Sequence, residues 1–453
     1  MTANAAPMRI TVIGIGYLGL THAVCMADLG HDVLAIDVDA AKLAKAAAGD
    51  VPFFEPGLEP LLRKNLEAGT LRFTSSFAEV GRFGNVHFLC VGTPQGSGGH
   101  ADLSHVHSAA DMLAPFLARE CVVVGKSTVP VGTARQLVDR LRASAPAKAG
   151  VDLVWNPEFL REGFAVQDTV SPDRIVLGAA REEAANLVRQ VYAAPEAAGA
   201  PVLVMDFETA ELVKVASNAF LATKISFINV IAEMCEAAGA DVVALADALG
   251  RDKRIGHRFL GPGLGFGGGC LPKDLRALAA TADALGVDSL TSLLAIVDNI
   301  NQGRRDRVVR LARSSVGGSL DGIRVAVLGA AFKPHSDDIR DSPSLDVSRR
   351  LDAEGAVVTV HDPAAVDNAA KQYPQLRYAD SVLEAAHGAE LVLHLTEWPD
   401  YQAIDPAVLV RTVARPVLID ARCTLNGAHW RDAGWTVHVL GRPQRPPKHG
   451  IYG

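Results

Sequence analysis

A chain of 453 residues exceeds what a single core normally serves, so two or three domains are expected. Hydrophobic residues at 49% and charged ones at 21% describe a soluble globular protein, and a net charge of −7 gives no electrostatic case for nucleic acid or an anionic membrane as partner. An uninterrupted apolar run of about 18 residues, as a membrane span needs, is not found, and the first strand pattern starts too soon after Met1 for a secretory leader.

In chain order, β-branched strand patterns fall at Arg9–Ile13, Val33–Asp37, Asn85–Val91, Cys121–Lys126, Val151–Trp155, Arg174–Gly178 and Val202–Met205, most of them separated by helix-like segments. Such alternation predicts a parallel sheet covered on both faces. From Phe207 to about Leu285 the pattern is helical. The stretch Glu208–Ala238 holds no Pro or Gly, far longer than an average helix of roughly 11–12 residues. A helix of that length is expected to bridge domains or to pack against a partner subunit, and a homodimer is the expectation. Strand patterns return at Gly322–Leu328, Ala356–His361, Leu391–Leu395, Val417–Asp420 and Thr436–Val439. This second unit echoes the first, but its opening turn, Gly329-Ala330-Ala331, lacks the glycine pattern of a dinucleotide site. The tail from Gly441, with three prolines and several basic residues, is expected to be mobile. The fold class predicted is α/β: two Rossmann-like, doubly wound parallel-sheet domains joined by a long-helix central domain. The expected spans are 1–205, 206–305 and 306–453.

Gly14-Ile15-Gly16-Tyr17-Leu18-Gly19 follows the first strand and opens a helix. Gly14 suits the tight turn, Gly16 close approach to a pyrophosphate and Gly19 close helix–strand packing. Asp37 ends the next strand, where a ribose-binding acid belongs, and its charge favours NAD over NADP. Val91-Gly92-Thr93-Pro94 and Ser127–Thr133 lie at strand ends, where open α/β sheets bind ligands, though either could be plain turn chemistry. Asn156–Gly163 carries Glu158 and Glu162 four residues apart: a solvated helix face, or a loop in which one acid serves as a base. Lys214 and Asn218 share a face of the long helix among apolar neighbours, so Lys214 either snorkels or is recruited to stabilise an oxyanion.

The segment Arg254–Asp274 sets Cys270 in a glycine-dense loop, with glycines expected to let backbone pass close to a ligand. Pro272 near the first position of the next helix puts the thiol at a helix N-terminus, where the dipole and Lys273 favour a nucleophilic thiolate. Asp274 could contact the same reacting centre. The other cysteines (Cys25, Cys90, Cys121, Cys235, Cys423) show no metal-ligand spacing, and the set reads as mostly buried thiols of a reduced, cytoplasmic protein. Arg251, Lys253, Arg254 and Arg258 form a basic cluster suited to a diphosphate, or a solvated face. Phe332-Lys333-Pro334 and Asp337–Pro343 look like a ligand-facing loop. No histidine set has ligand spacing, and no metal is assigned.

Together these motifs resemble the UDP-glucose/GDP-mannose dehydrogenase family, in order from Gly14 to Arg422. The most specific segments are STVPVGT, NPEFLREG, GFGGGCLPKD and FKP…DDIRDSP. The resemblance implies an NAD-binding domain, a central dimerisation domain and a UDP-sugar-binding domain, with the active site in the cleft between first and last. It implies Cys270 as covalent nucleophile, Lys214 and Asn218 as oxyanion stabilisers, and Asp274 orienting a water. Glu158 would be general base in thioester hydrolysis, helped by Thr128. Glu162 would contact substrate and cofactor, while Phe159, Leu160, Phe259 and Gly267 line the sugar site. Arg254 would reach the partner subunit's substrate, and Phe332, Lys333 and Arg422 would hold the sugar nucleotide. Lys42, Thr93, Lys273 and Arg340 would join Gly14, Gly16, Tyr17, Leu18, Gly19, Asp37 and Thr128 around NAD.

The implied reaction is a four-electron oxidation of UDP-glucose to UDP-glucuronate through a thiohemiacetal and a thioester. RIGHRFL before the glycine loop resembles the UDP-glucose branch, and the unbroken GFGGGC argues against the N-acetylated branches. Gly269 stands where relatives often have serine, with no functional cost expected because backbone matters there. Three alternatives are weighed: the same chemistry on GDP-mannose, a two-electron β-hydroxyacid-type dehydrogenase that needs no Cys270, and a non-catalytic NAD-binding regulator.

Overall fold

The computed structural model describes residues 7–443, so the tail from 444 onward lies outside the described residues. The chain falls into two compact units, one of residues up to Ser217 with Arg276–Gly286, the other of Asn218–Leu275 with Val287 onward.

The first unit holds eight strands: β1 Arg9–Ile13, β2 Asp32–Ile36, β3 Leu71–Thr74, β4 Val86–Leu89, β5 Cys121–Gly125, β6 Val151–Trp155, β7 Ile175–Ala179 and β8 Val202–Met205. They lie in the order β3-β2-β1-β4-β5-β6-β7-β8. Ile10 pairs with Val33 on one side and Val86 on the other, so chain order reverses at β1. That reversal opens the crevice at strand C-termini in which ligands bind. Alternate residues feed separate cores. Ile10, Val12, Val33 and Phe88 pack on one face, and Ile13, Leu34, Ile36 and Trp155 on the other. Burial of both faces is why these strands read as continuous apolar runs.

The all-parallel expectation needs one correction: β7 runs antiparallel to β6, Val154 opposite Ala179, and β8 then pairs parallel with β7. The link from β6 is an irregular stretch and the six-residue helix Ala165–Val170, which packs Val166 and Val170 on the core of one face.

The second unit's sheet has six strands: β9 Arg324–Leu328, β10 Val357–His361, β11 Arg377–Tyr378, β12 Leu391–His394, β13 Val417–Asp420 and β14 Thr436–Val439. All run parallel in the order β11-β10-β9-β12-β13-β14. The edge strands β3 and β11, of four and two residues, were not anticipated.

A 32-residue helix, Phe207–Ala238, passes from the first unit into the second. A second long helix, Asp288–Ser315, spans 28 residues. Its Asn299, Asn301 and Gly303 weaken the helical signal. By length and composition the first long helix could cross a membrane, yet nearly half of its most apolar stretch is packed inside the protein. Its polar members Glu211, Lys214 and Asn218 are buried.

Candidate active site

In the first unit, each glycine of the turn after β1 has a distinct steric reason. Gly14 adopts φ +91° with its Cβ position 3.0 Å from the Cys90 carbonyl oxygen. A Cβ on Gly19 would overlap the Gly14 carbonyl oxygen. Gly16 is exposed, and its Cβ would meet no protein atom within 4 Å, so protein packing does not demand a glycine there. The open space leaves room for a phosphate to approach the backbone. Asp37 at the end of β2 accepts the Ile15 N–H at 2.8 Å and the Asp39 N–H at 2.9 Å, which fixes it beside the turn. These residues fit a dinucleotide. Leu18 packs against the core, and exposed Lys42 pairs with Asp39 at 3.8 Å.

Tyr17 donates its hydroxyl to the Glu55 carboxylate. Glu55, buried, also accepts Gly163 N–H and Ala165 N–H, both at 2.7 Å, which ties the glycine turn to the loop after Glu162. Nothing in the local sequence marks Glu55. The strand-end loops are fastened likewise: Thr93 Oγ1 donates to the Thr128 carbonyl at 2.8 Å and Ser127 Oγ to that of Val91 at 2.6 Å. Glu211, also not singled out from sequence, reaches from the long helix to accept Gly132 N–H and Ala134 N–H at 2.7 Å each, capping the helix Thr133–Ser144. Burial raises the Glu211 carboxyl above its ordinary range.

The segment 156–161 is irregular, so the helix-face reading of Glu158 and Glu162 is set aside. Glu158 accepts Lys214 Nζ at 3.0 Å and the Leu160 N–H at 2.6 Å. Lys214 is only 4% exposed, which excludes snorkelling: its ammonium is held inward by Glu158 and lies 5.7 Å from the Phe159 ring. Glu162 is half-buried and its charge acts on Tyr17.

In the second unit, Cys270 is exposed and immediately precedes the helix Leu271–Ala284, its carbonyl accepting the Asp274 N–H at 2.9 Å. The thiol therefore stands at a helix N-terminus, as the position of Pro272 predicts. The other cysteines are buried or half-buried. Asp274, buried, accepts Asn218 Nδ2 at 2.6 Å and pairs with Lys273 Nζ at 2.9 Å.

The glycine-dense loop needs a correction. Of its seven glycines, Gly263, Gly265, Gly267, Gly268 and Gly269 make room for protein, while a Cβ on Gly256 or Gly261 would meet no protein atom within 4 Å. A Cβ would stand 2.7 Å from the Ala421 carbonyl oxygen at Gly263 and 2.7 Å from the Phe332 ring at Gly268. At Gly265 it would overlap the Asn301 amide oxygen, and at Gly267 the Asp341 carbonyl. At Gly269 it would overlap the Arg340 guanidinium, the end of an exposed, flexible side chain that can move aside.

Arg422 spends its guanidinium on protein: Nε donates to the Leu395 carbonyl at 2.6 Å, Nη1 to that of Gly265 at 3.0 Å and Nη2 to that of Phe332 at 3.4 Å. It braces the ends of β12 and β13 against the glycine loop. Lys333 Nζ sits 5.3 Å from the Phe332 ring, and Arg340 is exposed and paired with Asp338. Phe259 adopts φ +65°, a left-handed conformation that costs on the order of 1 kcal/mol and clusters at ligand sites. In the basic cluster, Arg251 pairs with Asp247 at 2.9 Å and exposed Arg254 with Asp252 at 2.6 Å. Among the described residues no group of three or more His, Cys, Asp or Glu could hold a metal.

A glycine turn with its strand-end acid, on a doubly wound sheet followed by a second parallel sheet, defines a dinucleotide-dependent α/β enzyme. Comparison with known proteins specifies it further. Residues 8–195 match the NAD binding domain of the UDP-glucose/GDP-mannose dehydrogenase family, 208–303 its central domain and 326–427 its UDP binding domain. A UDP-glucose 6-dehydrogenase of Rhizobium meliloti is 42% identical over 439 residues, covering 96% of this chain and all of that one. One from Bacillus subtilis is 40% identical over 98% of this chain and all of its own. The solved UDP-glucose dehydrogenase of Pyrobaculum islandicum superposes with TM-score 0.89 at 37% identity, covering 98% of this chain and 99% of that one. The chain belongs to the UDP-glucose/GDP-mannose dehydrogenase family, and its first domain is an NAD-binding domain.

Proposed function

We propose that this protein oxidises the C6 alcohol of UDP-glucose to the carboxylate of UDP-glucuronate, with two NAD consumed and a covalent intermediate on Cys270. The observation that carries it is the exposed Cys270 thiol at a helix N-terminus, one turn before buried Asp274 and its Asn218 partner. Relatives at about 40% identity bearing the name UDP-glucose 6-dehydrogenase support the choice of sugar.

NAD would be held by Gly14, Gly16, Tyr17, Leu18, Gly19, Asp37 and Lys42, with Thr93, Thr128, Glu162, Lys273 and Arg340 joining. When bound it supplies the hydride acceptor, one molecule for each oxidation. Lys214 and Asn218 stabilise negative charge on the oxygen of the carbon being oxidised. After the first oxidation, the Cys270 thiolate adds to the aldehyde carbon and the carbonyl oxygen gains a proton, giving a thiohemiacetal. The second oxidation leaves a thioester. Glu158 takes a proton from a water held by Thr128 and Asp274; that water attacks, the C–S bond breaks and the sulfur departs as thiolate. Overall, UDP-glucose, two NAD and one water give UDP-glucuronate, two NADH and three protons. Covalent capture keeps the aldehyde from escaping. Phe159, Leu160, Phe259, Gly267, Phe332, Lys333 and Arg422 would shape the sugar-nucleotide site.

The same reading places the protein in the cytoplasm as a homodimer, divided functionally at 205/206 and 305/306, with Arg254 serving the partner's substrate. Support for the dimer comes from Phe220, Phe227 and Met234, exposed at seven-residue spacing along one face of the long helix.

The test is NADH formed per UDP-glucose consumed, by wild type and Cys270→Ser. Two per sugar, with the variant stalled or trapped as an ester, is expected. One per sugar, unchanged in the variant, would sink the covalent mechanism; turnover of GDP-mannose instead would overturn the substrate.

A further inference from the structure

The main chain leading to Cys270 lies in no helix or strand: the Gly268 N–H bonds the Arg340 carbonyl at 2.9 Å, Arg422 holds the Gly265 carbonyl, and buried side chains make the remaining ties. Gly263 N–H donates to Asn229 Oδ1 at 2.8 Å, and the Gly263 carbonyl accepts Arg304 Nε at 3.0 Å. Asn301 grips Phe266 at two points: Phe266 N–H donates to its Oδ1 at 2.8 Å, and its Nδ2 donates to the Phe266 carbonyl at 3.0 Å. Arg304 further binds the Asn229 carbonyl at 3.3 Å and Glu233 at 3.0 Å. Asn229, Asn301 and Arg304 are almost wholly buried, at 0%, 1% and 0% exposure.

The grips on Gly263 and Phe266 come from two helices. Asn229 and Glu233 lie on the long helix, Asn301 and Arg304 on Asp288–Ser315. Asn218 and Asn229 are about three turns apart, so they share a face. One reaches Asp274 and the other Gly263, the two ends of the segment that carries the thiol. Burying polar groups costs free energy unless they are paired, which commits Asn301, bonded through both ends of its amide, to one geometry, while Asn229 Nδ2 and Arg304 Nη2 are buried without a partner. Gly265 belongs to this arrangement, since a side chain there would collide with the Asn301 amide.

We propose that Asn301, together with Asn229 and Arg304, is a positioning residue for the Cys270 thiol: the two long helices hold the loop by its backbone and so fix where the sulfur is presented. This rests on the covalent role of Cys270 proposed above. Misplacing a reacting group by about 1 Å can cost on the order of a hundredfold in rate.

Asn301→Ala in the full chain is expected to lower kcat about tenfold or more, with KM for NAD within about twofold of wild type. NADH per UDP-glucose should fall below two as uncaptured aldehyde escapes to a hydrazide trap. Asn301→Asp keeps the acceptor for the Phe266 N–H and should recover part of kcat. Unchanged kcat and stoichiometry in Asn301→Ala, whatever happens to Tm, would overturn the proposal. Should Asn301→Ala not fold, Asn229→Ala removes only the acceptor of Gly263 and is read the same way. If wild type itself yields one NADH per sugar, the covalent role fails, and the iodoacetamide rate of Cys270, which needs no substrate, judges the loop. A rate in Asn301→Ala within about twofold of wild type then refutes positioning, and a larger change sustains it.

Discussion

Lys126 follows β5 with its ammonium shut away from water, bonded to Asn156 Oδ1 at 2.9 Å and to the Tyr192 hydroxyl at 3.3 Å, both neutral. Burial depresses it from 10.5 to about 8; the nearby Cys90 and Glu158 oppose that shift, and Lys214 adds to it. Between those values the unfolded lysine holds a proton that the folded one has released, so stability rises with pH over this window. Below about 8 the folded protein bears the full cost of the buried charge, about 3 kcal/mol. Relative to wild type, Lys126→Met should therefore be favoured most at pH 7 and lose about that much of its advantage by pH 10, on top of a constant loss from the two hydrogen bonds. Urea midpoints at both pH values check this; a difference independent of pH refutes it. At this scale much was legible. Cys270 at a helix start, Asp37 at a strand end and Lys214 one turn from Asn218 are relations between neighbours in sequence. Glu55, Glu211, Asn301 and Arg304 were not, because each acts on main chain tens of residues away.

The glycine turn separates two kinds of glycine within one element. Gly19→Ala drives a methyl group into the Gly14 carbonyl and is expected to cost at least about 2 kcal/mol in unfolding free energy. Gly16→Ala meets no protein atom and should unfold like wild type, yet weaken NAD binding about tenfold, or about 1.4 kcal/mol. Thermal melts and an NAD titration on the pair decide it, and equal NAD affinity for Gly16→Ala and wild type would refute the phosphate role of that position. Most strands were legible as elements, Arg9–Ile13 and Val151–Trp155 to the residue, since burial on both faces writes itself as an apolar run. The direction of β7 was not, because the same residues suit either pairing and the connection decides.

For the whole molecule, the apolar face of the long helix is where the proposed dimer can be broken. A Phe227→Glu, Met234→Glu double variant places two charges on exposed positions of one face and should shift the protein from dimer to monomer in analytical ultracentrifugation, while the monomer keeps its fold. A wild type that sediments as a monomer would refute the dimer outright. Two Rossmann-like sheets and a helical segment were determined by sequence alone, because hydrophobic period and strand-end glycines act over a few residues. What only the tertiary structure decided is the purpose of the glycines before Cys270 and the fate of Lys214. Glycines look alike in sequence whether they admit a ligand or a neighbouring backbone, and only the packed chain brings Asn301 to Gly265 and Arg340 to Gly269. A lysine among apolar residues is likewise ambiguous until the fold supplies Glu158 at 3.0 Å, since the desolvation cost of its charge is met only by a partner 56 positions away.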